Sequence, residues 1–333
     1  MGITLEPYAS ADALEVDELA AAASIFNACW DEWVPGERPM SAEAYADEER
    51  SVPATKVHHH VLARDGTGRV VGLGDVSWWP RPAEGAATAH VMVAPAHRNL
   101  GAGGALARHL VEHARAAGRT GITFELGVAT VGEALCERAG LRGDLVVEIN
   151  RTTPSAVTYG VLRDWVAAGE AVPGYSLVAY DDRCPEDLVA AAVAARRAMH
   201  DAPQYEGHAD DELTVEDLRA AEVASVAANQ SWWGVLVRHD ASGEVAGLTD
   251  LFLPRRRPWM AFQGDTCVVA AHRGHGIGAW MKAVNHLRVR HERPDLELLS
   301  TWNAASNQPM LRINRALGYQ PAGRFRGWYL PLG

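Results

Sequence analysis

Two six-residue stretches have the residue types and spacing for anion chemistry: Arg98-Asn99-Leu100-Gly101-Ala102-Gly103 and Arg273-Gly274-His275-Gly276-Ile277-Gly278. Each follows a short apolar run, Val91-Met92-Val93 in one case and Thr266-Cys267-Val268-Val269 in the other. Each leads into a helical pattern, over Ala105–Ala117 and Ala279–Arg290. A strand, a glycine turn and a helix start converge backbone N–H groups on one point, and the helix dipole favours negative charge there. Glycines at 274, 276 and 278 let the backbone approach a diphosphate closely. Arg98 and Arg273 either add a charge-assisted contact to that anion or stay solvated on the surface. The spacing is not Gly-x-Gly-x-x-Gly, and each turn follows a hairpin rather than a first strand, which argues against a dinucleotide site. No Gly-Lys-Ser/Thr follows, so a Walker-type phosphate loop is excluded.

The elements around the two turns recur in one order. In the first half, Ile3–Glu6 is strand-like, Asp12–Trp30 is an Ala-rich helical stretch, and Ser41 caps a second helix running to Arg50. A hairpin follows, His58–Arg64 and Arg69–Trp79 about the turn Asp65–Gly68, with a loop over Pro80–Gly85. Beyond the glycine turn come a strand at Ile122–Leu126, a short helix at Gly132–Ala139 and a strand at Leu145–Asn150. The second half repeats this with Tyr175–Tyr180, helices at Pro185–His200 and Thr214–Ala224, and the hairpin Trp232–His239 and Glu244–Leu253. Asp65 and Asp240, Gly72 and Gly247, Asp75 and Asp250, Arg98 and Arg273, and Gly103 and Gly278 each lie 175 positions apart. Gly140 and Gly318 lie 178 apart, so about three residues were added late in the second copy. Two long copies describe a tandem duplication, not a solenoid. The expected domains are residues 1–153 and 175–333, joined by a linker over 154–174 whose Val157–Ala168 stretch can be helical.

The whole chain sets outer limits. Its 333 residues suit two domains of about 150 each, and 48% hydrophobic with 22% charged residues is an ordinary globular composition. A net charge of −11 disfavours a nucleic-acid partner; it suits a cationic amine or serves solubility alone. Cys29, Cys136, Cys184 and Cys267 form no close pairs, so neither a disulfide framework nor a zinc site is indicated. No apolar run of membrane-spanning length occurs, and the first residues lack the pattern of a secretory signal, so the expectation is a cytoplasmic protein with no membrane partner. Side chains of His58, His59 and His60 alternate across a strand and cannot all face one metal; no metal is expected.

The loop Arg-x-x-Gly-x-Gly, on a strand-to-helix turn, resembles the acyl-CoA pyrophosphate loop of the GNAT N-acetyltransferase superfamily. The second copy continues with Asn303-Ala304-Ala305-Ser306-Asn307 and on through Met310 to Gly318-Tyr319, similar to the Asn-rich last-helix signature of that family. The arrangement resembles tandem actinobacterial acetyltransferases of the mycothiol synthase type. The resemblance implies an α/β (α+β) fold of two tandem domains, each a mixed, mostly antiparallel sheet flanked by helices. It implies acetyl-CoA as acyl donor, held in the second copy by Val268, Val269, Arg273, Gly274, His275, Gly276, Ile277, Gly278, Asn303 and Asn307. Its first-copy counterparts are Met92, Val93, Arg98, Asn99, Leu100, Gly101, Ala102 and Gly103. A strand N–H at Val268 or Val269 would polarise the thioester carbonyl. Asn307 binds the pantetheine arm, caps the last helix, or does both; Asn303 contacts the cofactor or forms a turn. Asp265 and Thr266, placed at the start of the motif strand, are the catalytic candidates, with Asp265 as base.

The departures from the family pattern matter. Seven residues after Asn307, where many relatives have a tyrosine that protonates the leaving thiolate, stands Asn314; the first copy has Cys136 there and Ala129 in place of Asn307. The first copy therefore binds acetyl-CoA without catalysis or acts as a scaffold, with His90 and Glu125 as its flanking ionisable residues. Glu206, His208, Asp210 and Asp211 are a solvated loop or an amine-recruiting one. Trp78-Trp79 and Trp232-Trp233 pack in cores or line an acceptor site. The leading expectation is an N-acetyltransferase acting on a small-molecule amine by direct transfer in a ternary complex, with the chemistry in the second copy, as a pseudo-dimeric monomer or a homodimer. The alternative is a non-catalytic acyl-CoA-binding or regulatory protein.

Overall fold

The computed structural model describes residues 2–81, 85–210 and 212–333. The centre of the Pro80–Gly85 loop and Asp211 lie outside the described residues. The chain forms two compact units: unit 1 takes 1–147, 204–212 and 323–333, and unit 2 takes 148–203 and 213–322. Most of each unit comes from one sequence half. Unit 1 also receives a loop and the end of the final strand from the other half.

Unit 1 contains β1 (Thr4–Tyr8), α1 (Val16–Trp33), α2 (Ala42–Arg50), β2 (Val57–Arg64), β3 (Val70–Trp78), β4 (Ala86–Val93), α3 (Ala102–Ala116), β5 (Gly121–Gly127) and α4 (Val131–Arg138), and holds the start of β6 (Arg142–Thr152). Its strands lie in the order β1-β2-β3-β4-β5; β4 and β5 are parallel and the other neighbours antiparallel. Alternation assigns the two faces. Val61, Ala63, Val76, Ala87, Ala89 and Phe124 pack under α3 through Leu106 and Leu110. Leu62, Leu73 and Met92, on the opposite face, meet α1 and α2 through Ala22, Ile25 and Tyr45. Ser41 caps α2, its hydroxyl accepting from the Ala44 N–H at 3.2 Å.

Unit 2 contains α5 (Tyr159–Glu170), β7 (Tyr175–Asp181), α6 (Val189–Arg196), α7 (Val215–Ala227), β8 (Gln230–His239), β9 (Val245–Pro254), β10 (Met260–Val268), α8 (Ile277–Glu292), β11 (Leu298–Ala304) and α9 (Gln308–Ala316); β12 (Gln320–Pro331) follows. β7 to β10 form an antiparallel run and β10 pairs β11 in parallel, as in unit 1. Within the expected linker, α5 is a helix packed so closely on α8 that a Cβ at Gly169 would come within 2.1 Å of the Trp280 ring. Thr214 caps α7 through a reciprocal pair with Asp217.

Three sequence expectations are corrected here. The helix expected over Pro185–His200 is α-helical only from Val189 to Arg196, then tightens to a 3-10 turn over Arg197–Asp201. The motif strand begins at Met260, so Asp265 and Thr266 lie well inside it rather than at its entry. The final strand β12 was not anticipated; it runs antiparallel to β5 from Phe325 opposite Gly127 to Pro331 opposite Gly121. Among the described residues no helix is long and apolar enough to cross a membrane.

Candidate functional site

A cleft opens in each unit because two parallel strands pair only at their beginnings. In unit 1, β4 and β5 pair from Ala86 and Gly121 to Ala89 and Phe124, although both strands continue. In unit 2, β10 and β11 pair only from Met260 and Leu298 to Phe262 and Ser300, and β10 bulges against β9 between Gln263 and Thr266. Ala87 pairs with Ile122 and Phe262 with Ser300, which are equivalent positions at the 175 and 178 offsets. Strand pairing therefore reproduces the duplication independently of residue identity. Beyond the last pair, each unit leaves backbone N–H and C=O groups without a strand partner, where an extended ligand can be held.

At the end of each opening lies the glycine turn, with one backbone path in both copies. Asn99 and Gly101 have φ of 63° and 96°; Gly274 and Gly276 have 86° and 74°. Gly101 and Gly276 are the residues that start α3 and α8, and neither helix start receives a side-chain cap. Space around Gly101, Gly274 and Gly276 is open to 4 Å. An uncapped helix start at the end of a cleft is a fit for a diphosphate. The two arginines do not aim at it. Arg98 donates from Nε to the Val93 carbonyl at 3.2 Å and grips Glu32 with both terminal nitrogens. Arg273 repeats the backbone bond, to Val268 at 3.0 Å, and pairs with Asp201. Each braces its turn against the strand before it.

The mouth of unit 1 carries an ordered row of ionisable groups on the α1–α2 face. Strand register places Tyr8 opposite His60, His60 opposite Asp75, Asp75 opposite His90, and Glu125 opposite Gly327. His90 is the first β4 residue beyond the pairing and Glu125 the first of β5. Their side chains meet across the opening, Nε2 to Oε2 at 2.9 Å. The other ring nitrogen of His90 lies 3.1 Å from Asp75, which His58 also reaches at 3.3 Å. Burial works against a charged His90, but Asp75 and then Glu125 hold its pKa well above the usual imidazole range. Burial likewise opposes ionised Asp75 and Glu125, and the imidazole pulls both below the usual carboxylate range. The mouth thus joins two carboxylates to one imidazolium, with the Lys56 ammonium also acting on Glu125.

Unit 2 builds its mouth differently. Asp250, the counterpart of Asp75, is buried and bound by Arg196 at 2.7 Å and by the Trp232 indole at 2.8 Å. Asp265, the counterpart of His90, is bound by the same guanidinium at 2.6 Å, with 46% of its side chain exposed. Thr266 shares a 2.7 Å bond with the Thr249 hydroxyl. Asn303, the counterpart of Glu125 at the later offset, accepts from the Asn314 amide at 2.6 Å. Asn314 in turn accepts from Lys282 at 2.7 Å; Lys282 is buried, and burial lowers its pKa to about 7. Asn307 caps α9, accepting from the Met310 N–H.

Four residues went unread in the sequence as parts of a site. Asp75 and Asp250 were visible only as marks of the duplication. Arg196 sits in an Ala-rich helix with nothing local to point at it. Tyr205 precedes the acidic run, and its segment folds into unit 1, with Glu206 ion-paired to Arg142 at 2.6 Å. His59, as its alternation requires, lies on the α3 face, 2.9 Å from His109, while His58 and His60 face the other way. No cluster of metal-ligating side chains occurs among the described residues.

Residues 21–136 match the family model described as acetyltransferase (GNAT) family. The whole chain superposes on a tandem GNAT protein from the clavulanic acid biosynthesis pathway, at 26% identity and a TM-score of 0.76, covering 100% of this chain and 99% of that one. A GCN5-related N-acetyltransferase from Sphaerobacter thermophilus aligns at 16% identity and a TM-score of 0.66, covering 99% and 96%. A putative acetyltransferase from Pyrococcus horikoshii aligns at 14% and 0.57, covering 99% and 89%. No curated protein matches by sequence.

Proposed function

We propose that this chain, whose residues 21–136 match the acetyltransferase (GNAT) family model and which superposes over its length on a tandem GNAT protein, is an enzyme that moves an acetyl group from acetyl-CoA to a primary amine of a small molecule. The observation that supports this most is the meeting of His90 and Glu125 across the open end of β4 and β5, in line with an uncapped helix start. Acetyl-CoA supplies the activated acyl group as a thioester. The helix starts at Ala102 and Ile277 would hold its diphosphate, and the strand ends at Val93 and Val268 its pantetheine arm; the Val269 N–H expected to serve there is taken by the Ala246 carbonyl at 2.9 Å. Glu125 and Asp75 draw the ammonium of the acceptor to the mouth of unit 1. The neutral amine nitrogen then bonds to the thioester carbon, the C–S bond breaks, and CoA leaves as a thiolate that takes a proton from water; Glu125 accepts the proton the nitrogen sheds, with the His90 imidazolium beside it. Direct transfer in a ternary complex is favoured over an acyl-enzyme because Cys136, pushed up to about 11 by burial, stays a thiol.

A second reading puts the chemistry in unit 2 with Asp265 as base. Its exposure favours this, and its bond to Arg196, which occupies a carboxylate lone pair, weighs against it. Acceptor-dependent CoA thiol release over a panel of amines tests both readings. A fall of about 100-fold in Glu125→Gln places transfer in unit 1, and the same fall in Asp265→Asn places it in unit 2. Absence of release with every amine would overturn the enzyme reading in favour of a non-catalytic acyl-CoA-binding protein.

A further inference from the structure

Unit 2 turns aromatic side chains toward its mouth by slipping the alternation of one strand. In unit 1, β4 pairs β3 without a break from Thr88 to Val93, and Ala87 and Phe124 face α3. In unit 2 the bulge in β10 between Gln263 and Thr266 puts two neighbouring residues on one face. A Cβ on Gly264 would meet the Phe252 ring at 2.6 Å and the Asp250 side chain at 3.3 Å, and Asp265 reaches Arg196 of α6. Alternation before the bulge is therefore reversed. Phe262 and Trp302, the counterparts of Ala87 and Phe124 at the two offsets, take the α6 face instead of the α8 face. There Phe262 is the register partner of Phe252, whose ring lies 5.0 Å from that of Trp232, and Trp302 stacks on Phe262 at 5.3 Å and 24°. Phe262 also has the Arg257 guanidinium 5.1 Å away. Trp302 is the outer ring: half-buried, it makes no second ring contact, and its indole N–H closes no hydrogen bond among the described residues. The last β10–β11 pair is Phe262 with Ser300, so Trp302 lies two residues past it on one parting strand and Asp265 three past it on the other. Ring and carboxylate flank the opening. Arg196 takes Oδ2 of Asp265 at 2.6 Å; Oδ1 has no partner among the described residues.

We propose that the mouth of unit 2 is a binding site for an ammonium compound carrying an aromatic ring, the ring lying on the outer side of Trp302 and the nitrogen on Oδ1 of Asp265. The free carboxylate oxygen accepts an ammonium N–H in a charge-assisted bond and repels an anion. The indole carries a negative face and a positive edge, so it prefers an aromatic partner to a saturated one of the same area. Paired strands lie about 4.8 Å apart and these have begun to part, which sets a spacer of roughly two or three carbons between ring and nitrogen. Such binding does not depend on which unit transfers the acetyl group, nor on transfer occurring at all.

Calorimetry on the full chain tests it, with CoA present because it has no acyl group to transfer. The probes share one shape: phenethylamine, its saturated analogue cyclohexylethylamine, and the anion phenylpropionate. The wild type should bind phenethylamine about fivefold more tightly than the saturated amine and about tenfold more tightly than the anion. Trp302→Leu should erase the ring preference, and Asp265→Asn the preference for amine over anion, each leaving the other standing. Glu125→Gln, which alters the mouth of unit 1, should change neither. The proposal is overturned if no amine binds at millimolar concentration, if the wild type lacks either preference, if either preference survives the variant meant to erase it, or if Glu125→Gln removes them. Should Trp302→Leu fail to fold by circular dichroism, Asp265→Asn decides alone: a lost preference for the amine upholds the site, and a retained one overturns it. Absence of thiol release in a turnover assay would sink the enzyme reading and leave these binding results unaffected.

Discussion

Replacing His90 by glutamine removes the cation between Asp75 and Glu125 while keeping a polar side chain of similar reach. Both carboxylates then face each other's charge without the imidazolium, 3.1 Å and 2.9 Å from where it stood. Breaking a fully buried ion pair costs about 3–5 kcal/mol. The side chains of His90 and Asp75 keep 29% of their surface open and Glu125 keeps 20%, so solvent screens part of this and about 2–3 kcal/mol is expected. In a domain of this size that lowers Tm by roughly 4–12 °C. The pH dependence fixes the cause. His90 has its pKa raised, so its stabilisation is complete below about pH 6.5 and is lost as pH rises through the folded-state value. Asp75 and Glu125 have theirs lowered, so their stabilisation is complete above about pH 4.5 and is lost as pH falls through their folded-state values. The cost of the substitution should peak between these limits and shrink toward acid, where the orphaned carboxylates take up protons. Urea or thermal unfolding of the wild type, His90→Gln, Glu125→Gln and the double variant measures it, and the double variant should recover part of the loss. A loss below about 0.5 kcal/mol, the level of ordinary surface substitutions, a profile flat in pH, or strictly additive single losses would refute the reasoning.

The two cradles can be separated: Gly101→Glu and Gly276→Glu each force a side chain and a negative charge into a left-handed helix start. Calorimetry with acetyl-CoA should show two sites per chain reduced to one by either change; stoichiometry unaltered by both would discard the cradles. Arg196→Met leaves Asp250 and Asp265 without their shared cation and should cost about 3–5 kcal/mol near neutral pH. Because burial already raises the pKa of Asp250, that cost should fall as pH is lowered in urea titrations. Lys282→Met should stabilise unit 2 by about 3 kcal/mol below pH 7, which allows for the Asn314 oxygen it leaves unpaired. Lys282 has its pKa depressed from 10.5 to about 7, so wild-type stability rises between these values as the unfolded chain sheds the extra proton. The benefit should therefore vanish toward pH 10.

What was legible in the sequence was periodic or local. Alternating strands, the Ser41 cap, the duplication offset and the paired glycine turns needed only neighbours along the chain, and the structure places them where the pattern did. The sites were legible less evenly. The glycine turns announce themselves because left-handed backbone at 274 and 276 selects glycine; Asn99, which adopts the same conformation at 63°, is the rarer solution. Arg98 and Arg273 were readable as cations near an anion site, but their Nε bonds to Val93 and Val268 depend on backbone curvature that spacing does not encode. Arg196 and Tyr205 were silent. Each acts on a strand distant in sequence, Tyr205 on Glu125 across 80 positions and Arg196 on Asp250 across 54, and neither occupies a periodic place in a motif. The end of β12 was silent for a related reason: a strand's partner is chosen by sheet topology, and Phe325–Pro331 reads alike beside any edge.

The two mouths show what the duplicated fold constrains. An aspartate on the second hairpin strand, Asp75 or Asp250, points into the interior beside the opening and cannot remain ionised there alone. Unit 1 supplies its cation from the facing strand, as His90. In unit 2 the facing residue is Asp265, a second negative charge, and the cation comes from α6 as Arg196, which binds both carboxylates. Residue identity at the facing position is thus free to change, provided a cation arrives within hydrogen-bonding distance by another route. Both solutions set two carboxylates on one shared cation. They differ in what they offer a substrate. His90 and Glu125 belong to the two strands that separate, so their charges lie at the mouth itself and can be handed to an arriving ammonium. Arg196 binds Asp250 in the interior and Asp265 at the surface, so the exposed carboxylate of unit 2 has an oxygen already taken by a guanidinium. That difference, a guanidinium on Asp265 and none on Glu125, is the ground on which transfer is proposed for unit 1, although the Asn-rich signature lies in unit 2.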